Sequence, residues 1–195
     1  RQQTKKTEGI PNFALSDFIL PKNNQNKHDY IGCFAVSIFG AEQLAKHFEA
    51  DNDDYSSIMI KAISDRFAEA LAEYMHAKIR RNIWGYVPDE QLDNNALISE
   101  KYQGIRPAPG YPACPDHLEK LTIWELLDVN NAIGTQLTES LAMYPASSVS
   151  GYYFANPKSK YFGVGKITQE QADDFAQRKE IKQEDAQYWL QPNLA

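Results

Sequence analysis

Cysteine is scarce in this chain: Cys33 and Cys114 are the only two of 195 residues, one disulfide at most. That is too few for the stapled framework of a small secreted domain and fits a reducing cytosol better. No apolar run approaches the roughly 18 residues that a membrane-spanning helix needs. The basic opening RQQTKKTEG has no apolar segment behind it of the kind an export signal requires, so the expected location is cytoplasmic and no membrane partner is expected. An excess of basic residues is also missing. The 20 Lys and Arg stand against 26 Asp and Glu, a formal charge of −6, which argues against a surface that tracks the phosphates of DNA or RNA. There is no internal repeat and no low-complexity tract. The chain starts at Arg1 rather than Met and reads as a segment of something longer.

What is present describes a single globular domain over residues 1–195, since 43% of them are apolar and 24% charged. A connector over 5–27, with a short helical turn at LSDF, leads into a buried β-branched and aromatic strand within 29–40. A short helix is predicted over 41–49, and DNDDYSS then offers N-caps for a long helix over 56–81. There Ile60, Ile63, Phe67, Leu71 and Tyr74 recur at three- and four-residue steps, predicting a stripe against the core. Asp65, Arg66, Glu69 and Glu73 then fall on a solvated side. Another short helix is expected to end near Tyr102. Prolines at 107, 109, 112 and 115 forbid a helix or inner strand over 104–116 and predict a stiff, extended loop. Asp116 and Glu119 have the spacing of a capping box for a helix over 117–131, as Thr168 and Gln171 do for one reaching Lys179. LTESLAMYP, SVSGYYFANP and SKYFGVGKI read as strands, the last two joined in a hairpin at Asn156-Pro157, and a final helix covers 184–190. The expected class is α+β, a twisted antiparallel sheet with flanking helices.

Several chemistries are disfavoured by spacing. Cys114 and His117 are the only close pair of metal-ligand type, and Cys33, His28, His47 and His76 supply no second pair, so no metal site is expected. There is no G-x-S-x-G and nothing local to activate Cys114, which reads as a packed or mildly exposed thiol. Gly163-x-Gly165 lacks a third glycine opening a helix, so a Rossmann nucleotide site is not supported, nor is the usual fold of stand-alone methyltransferases.

The stiff loop is the strongest candidate for recognition. Arg106 offers a bidentate guanidinium for a carboxylate or phosphate, Gly110 lets backbone approach a ligand, and Tyr111 offers a flat face with a polar tip. From residue types alone, a loop that merely covers the core, with Arg106 paired internally, is an equal reading. Tyr152, Tyr153, Phe154, Tyr161 and Phe162 are a second candidate, with sheet core as the competing reading. Alternation along a strand sends Tyr161 and Phe162 to opposite faces.

RPAPGYPACPDHLEK, TIWELL, LTESLAMYP, SVSGYYFANPKSKYF and the closing WLQPNL together resemble the C-terminal activation domain of cobalamin-dependent methionine synthases. The likeness runs from RQQTKKT through ALSDFI, DYIGCFAV, SDRFAEALAEY and YQGIRPAPGYPACPDH, nearly the whole chain. The resemblance implies a shallow groove for S-adenosylmethionine, in which Arg106, Gly110 and Tyr111 match an R-x-x-x-G-Y motif. Main-chain groups at Pro107 and Ala108 would assist, Tyr161 and Phe162 would come from an S-K-Y-[YF] strand, and Arg106 would hold the carboxylate of the ligand's methionine part. Full-length members carry a methyl group on cobalamin from methyltetrahydrofolate to homocysteine. When the cobalt oxidises, one electron from flavodoxin or another reductase, with the methyl of S-adenosylmethionine, restores it. The resemblance places cobalamin and zinc on other modules and implies no catalytic residue here, in keeping with the lack of an acid/base constellation. Asp65 and Glu69, which match a D-R-[LF]-A-E-A stretch, and Glu100 would face the cobalamin-binding module. The family domain is longer at its N-terminus, where it has an acidic ligand contact that falls before RQQTKKT. Two rivals remain: a non-catalytic S-adenosylmethionine-sensing module with no cobalamin partner, and an interaction domain with no small ligand.

Overall fold

A computed structural model describes residues 1–3, 7–22 and 27–195; parts of the expected connector, residues 4–6 and 23–26, lie outside them. In chain order come a 3₁₀ turn (Leu15–Phe18), strand β1 (Gly32–Ser37), and helices α1 (Ala41–Ala50) and α2 (Asp54–Lys78), the latter running on into one π turn (Ile79–Ile83). Helices α3 (Asn94–Ile98), α4 (Glu119–Leu127) and α5 (Val129–Ile133) follow, then strands β2 (Gln136–Leu137), β3 (Met143–Tyr144) and β4 (Ser148–Tyr153). Helices α6 (Gln169–Lys179) and α7 (Gln183–Leu190) and a closing 3₁₀ turn (Gln191–Asn193) complete the chain. The class is α+β. No helix among the described residues is long and apolar enough to cross a membrane.

The centre is a two-stranded antiparallel ribbon of β1 and β4, in which Gly32 faces Tyr153, Phe34 faces Gly151 and Ser37 faces Ser148. Alternation along each strand sorts the side chains to two sides. Cys33, Ala35 and Tyr152 join Ile123, Trp124 and Val129 of α4 and α5 on one side. Phe34, Val36 and Tyr153 join Ala72 of α2 on the other, the Phe34 and Tyr153 rings stacked with centroids 4.7 Å apart.

One of the N-caps offered by DNDDYSS forms, as does the box expected at Thr168. The Asp53 carboxylate accepts from Ser56 N at 3.0 Å and opens α2, and Thr168 and Gln171 make the reciprocal capping box of α6. The box expected at Asp116 does not form. Asp116 accepts from Leu118 N at 2.8 Å, but the Glu119 carboxylate is taken by Lys179 and by the Tyr152 hydroxyl. The single helix over 117–131 is split at Asp128, whose φ of 48° lies in the left-handed region. The hairpin at Asn156-Pro157 is also corrected. Asn156 does make a turn, accepting from Ser159 N at 2.9 Å, yet 159–167 forms no strand, because residues 105–107 already occupy the free edge of β4.

The largest correction concerns α2. Only part of its predicted apolar stripe turns inward: Ile60 and Leu71 are half-buried and Leu71 packs against the ribbon core, but Ile63, Phe67 and Tyr74 are 43%, 60% and 58% exposed, while Ser57, Ser64, Ala68, Ala72 and His76 are buried. Small side chains let the helix axis lie close over the ribbon, and the stacked Phe34 and Tyr153 fill the space beneath. Ala72→Leu should therefore overpack this layer and cost about 1–3 kcal/mol, whereas Phe67→Ala should stay within about 0.5 kcal/mol of wild type. Urea unfolding of both variants checks this, and the opposite order would return the apolar stripe to the core.

Candidate functional site

The proline-stiffened loop is laid along β4 by three hydrogen bonds. Ile105 N donates to Phe154 O (3.1 Å), Phe154 N to Ile105 O (3.0 Å) and Tyr152 N to Pro107 O (3.0 Å). Ile105 is thereby sunk into the core at 2% exposure, and Arg106, the next residue, faces the α2 side. Gly151 of β4 has no side chain at the point where the Pro107 carbonyl approaches it. Farther along, Gly110 adopts φ +89°, its N–H donates to Cys114 O at 2.8 Å, and a Cβ there would overlap the His117 imidazole.

Arg106 is held on several sides. Its Nη2 lies 2.8 Å from Glu73 Oε2. Its Nη1 lies 3.3 Å from His76 Nδ1 and donates to the Tyr102 hydroxyl at 3.1 Å. Its backbone N–H donates to the Tyr161 hydroxyl at 3.0 Å. A guanidinium has five N–H donors, so these contacts leave Nε–H and one hydrogen of Nη2 unused among the described residues. Behind it, Arg80 is fully buried, forks onto Glu90 with contacts of 2.8 and 2.7 Å, and stands 4.4 Å over the Tyr102 ring.

His76 is sealed between these groups at 0% exposure, stacked on Tyr153 with centroids 5.2 Å apart. Burial, reinforced by the Arg80 and Arg106 charges, pushes its pKa down to about 2, so the imidazole is neutral. An accepting Nδ1 requires the proton on Nε2, where the Tyr86 hydroxyl lies 3.4 Å away.

In front of Arg106 opens a groove of about 500 Å³, within the size range of small-molecule sites. Arg106, Pro107, Ala108 and Tyr111 form one wall, Tyr161 and Phe162 another, and Glu69 and Glu100 are also on its surface. Tyr111 presents its ring at 62% exposure. Tyr161 and Phe162 diverge: the first holds the Arg106 backbone, and the second packs 6.0 Å from Phe13 and 6.2 Å from Phe18. Gly110 shapes the loop without lining the groove. The Pro107 carbonyl is used by Tyr152 and the Ala108 carbonyl by Tyr111 N, which leaves the Ala108 N–H as the donor without a partner among the described residues.

Of the acidic residues expected to face a partner module, Glu69 and Glu100 reach the groove and Asp65 does not. Asp65 accepts from Ser147 Oγ at 2.7 Å and lies in a separate hollow with Lys46 and Lys61. Glu73, read as solvated, is instead the ion-pair partner of Arg106. The sequence gives no signal that ties His76 and Tyr102 to Arg106 or Pro112 to the groove. Glu73, His76 and Arg80, at i, i+3 and i+7, form a polar line of helical spacing that could have marked this face of α2.

Other sites carry less chemistry. A larger hollow of about 690 Å³ beneath Leu126, Phe154 and Val164 is mainly apolar. Both cysteines are free, and burial, with Glu119 and Asp116 nearby, raises the Cys114 thiol to about 12, so it is not a thiolate nucleophile. The described residues contain no group of three His, Cys, Asp or Glu side chains placed to hold a metal.

Comparison with known proteins adds two findings. The family described as vitamin B12 dependent methionine synthase, activation domain, matches residues 1–180. A solved structure described as the MetH reactivation domain bound to AdoHcy is 55% identical, with a TM-score of 0.96. The match covers 100% of this chain and 60% of that one, so this chain spans about three fifths of that structure's length.

The neutral His76 has a consequence for stability. Unfolded, a histidine takes up a proton near pH 6.5; folded, this one does so only near 2. Between those values the unfolded state binds more protons, so His76 stabilises the fold fully above pH 6.5 and loses that contribution as pH falls. Wild type should lose about 2 kcal/mol more than His76→Gln between pH 8 and pH 5. Urea midpoints at both pH values test this. His117, whose pKa burial also lowers, is present in both proteins and cancels, so parallel losses would refute a neutral buried His76.

Proposed function

Since the chain belongs to the vitamin B12-dependent methionine synthase activation-domain family, we propose that its groove binds S-adenosylmethionine and presents the methyl group for reactivation of the cobalamin enzyme. The observation that carries this reading is the Arg106 guanidinium, fixed in a groove of ligand size with Nε–H and one Nη2 hydrogen unused. That pair suits a carboxylate. The Ala108 N–H and the exposed Tyr111 ring suit the remainder of an adenosyl amino acid, and Glu69 and Glu100 supply negative charge for its ammonium and sulfonium. The AdoHcy carried by the similar structure is a ligand of this class.

When bound to its own module, cobalamin would supply reduced cobalt as the nucleophile, the sulfonium being a good leaving group. The residues of this chain then bind and orient; no general base is needed, because no proton moves. Pro107, Pro109 and the pairing onto β4 hold the loop rigid before the ligand arrives, which limits the entropy lost on binding. On this reading the domain alone has little or no turnover. Its partners are the cobalamin module of a methionine synthase and, in the cytoplasm, flavodoxin or another reductase as electron donor. Zinc, folate and homocysteine belong to other modules.

Isothermal titration with S-adenosylmethionine should give saturable binding, weakened by about 1.5–3 kcal/mol in Arg106→Ala, the size of a charge-assisted hydrogen bond. Absence of binding by wild type, or equal affinity in the variant, would overturn the assignment.

A further inference from the structure

Arg106 lies in a groove that also holds Glu69 and Glu100. A long, flexible cation free to choose among three carboxylates would fold onto those in the groove and present no usable donor there. The arrangement on the α2 side prevents this. Glu73, at 26% side-chain exposure, takes Nη2 at 2.8 Å, while His76 and Tyr102 take both hydrogens of Nη1. The other Glu73 oxygen is buried without a hydrogen-bond donor, 4.0 Å from Arg80 Nη1. Arg80 itself is locked by Glu90. Glu73 therefore sits between two guanidiniums and can follow neither one outward.

Resting on the reading of the groove given above, we infer that Glu73 is a positioning residue. It anchors the Arg106 guanidinium on the α2 side, so that the unused donors serve the carboxylate of an adenosyl amino acid and are withheld from Glu69 and Glu100. His76 and Tyr102 fix the plane of the guanidinium, and Glu73 fixes its rotation within that plane. Loss of the Glu73 charge by itself would strengthen the pull of Arg106 on an anion. Loss of the anchor weakens binding. The two effects have opposite sign and can be separated, because glutamine keeps an acceptor oxygen at the same reach and removes only the charge.

The test compares Glu73→Ala, Glu73→Gln and wild type, each as the full chain, by titration with S-adenosylhomocysteine and with 5′-methylthioadenosine, which has the nucleoside and thioether but no carboxylate. Glu73→Ala should bind S-adenosylhomocysteine about tenfold more weakly, the scale of a lost charge-assisted hydrogen bond. Glu73→Gln, which keeps the anchor and loses only the charge, should bind S-adenosylhomocysteine at least as tightly as wild type, and all three proteins should bind 5′-methylthioadenosine alike. A parallel loss of both ligands would make Glu73 a purely structural residue, and equal behaviour of the alanine and glutamine variants would remove the anchoring role; either overturns the inference. If wild type binds neither compound, the reading of the groove fails and this inference with it. Wild-type binding with Glu73→Ala unaffected sinks the inference alone.

Discussion

The pairing of residues 105–107 with the outer edge of β4 is the constraint on which the rest of the site depends. Buried backbone groups must be paired, and β4 has β1 on one side and this short run of loop on the other. In an antiparallel ladder both polar groups of a residue point the same way, alternately toward and away from the neighbour. Ile105 uses both toward Phe154. Pro107 can give only its carbonyl, so the ladder ends there. Arg106, between them, turns its N–H away from β4, and the Tyr161 hydroxyl receives it. One local pairing thus buries Ile105, aims Arg106 at α2, ties Tyr161 to the groove wall and displaces the 159–167 segment from the edge it would otherwise have joined.

On the other side of Arg106, α2 carries two kinds of residue on its inner face. Ala68 and Ala72 bring the helix close to the ribbon, and Glu73, His76 and Arg80 then continue the same face with polar groups. Burying charge costs several kcal/mol per ion unless it is paired. Here the ledger of charge is even: Arg80 with Glu90, Arg106 with Glu73, and a neutral His76 between the two cations. That balance lets an arginine that is mostly buried still line the groove.

Local chemistry was the legible part of the sequence. The Asp53 and Thr168 caps, the proline-bounded loop and the length of α2 all follow from residues close together in the chain, and the structure has each of them. The motif residues Arg106, Tyr111, Tyr161 and Phe162 do meet at one groove. Periodicity succeeded only in part on α2, for a physical reason: it defines an apolar face without saying how far that face turns toward the core, so Leu71 packs inward while Ile63, Phe67 and Tyr74 do not. Burial of Ile63 and Phe67 is ordinarily favourable, but the close approach of the ribbon favours the small residues instead. Glu73 was missed because its partner lies 33 positions away, beyond what charge spacing along a helix can report. Asp65 and Glu69 are one turn apart, yet only Glu69 is on the groove, since Asp65 accepts from Ser147 in a separate hollow.

The charge pattern of the groove also bears on what kind of ligand it suits. A simple anion would meet Arg106 but also Glu69 and Glu100, and a simple cation would meet the reverse. A molecule carrying a carboxylate and positive charge a few bonds apart satisfies both sets at once. An adenosyl amino acid has that layout, with a flat base as well to lie against the exposed Tyr111 ring. His76 is neutral and sealed, Cys114 is a buried thiol, and neither stands in the groove. On the proposed reading, the rigid loop, the anchored cation and the two carboxylates would hold a charged small molecule in one orientation, which is what transfer to an external nucleophile requires of the donor's side.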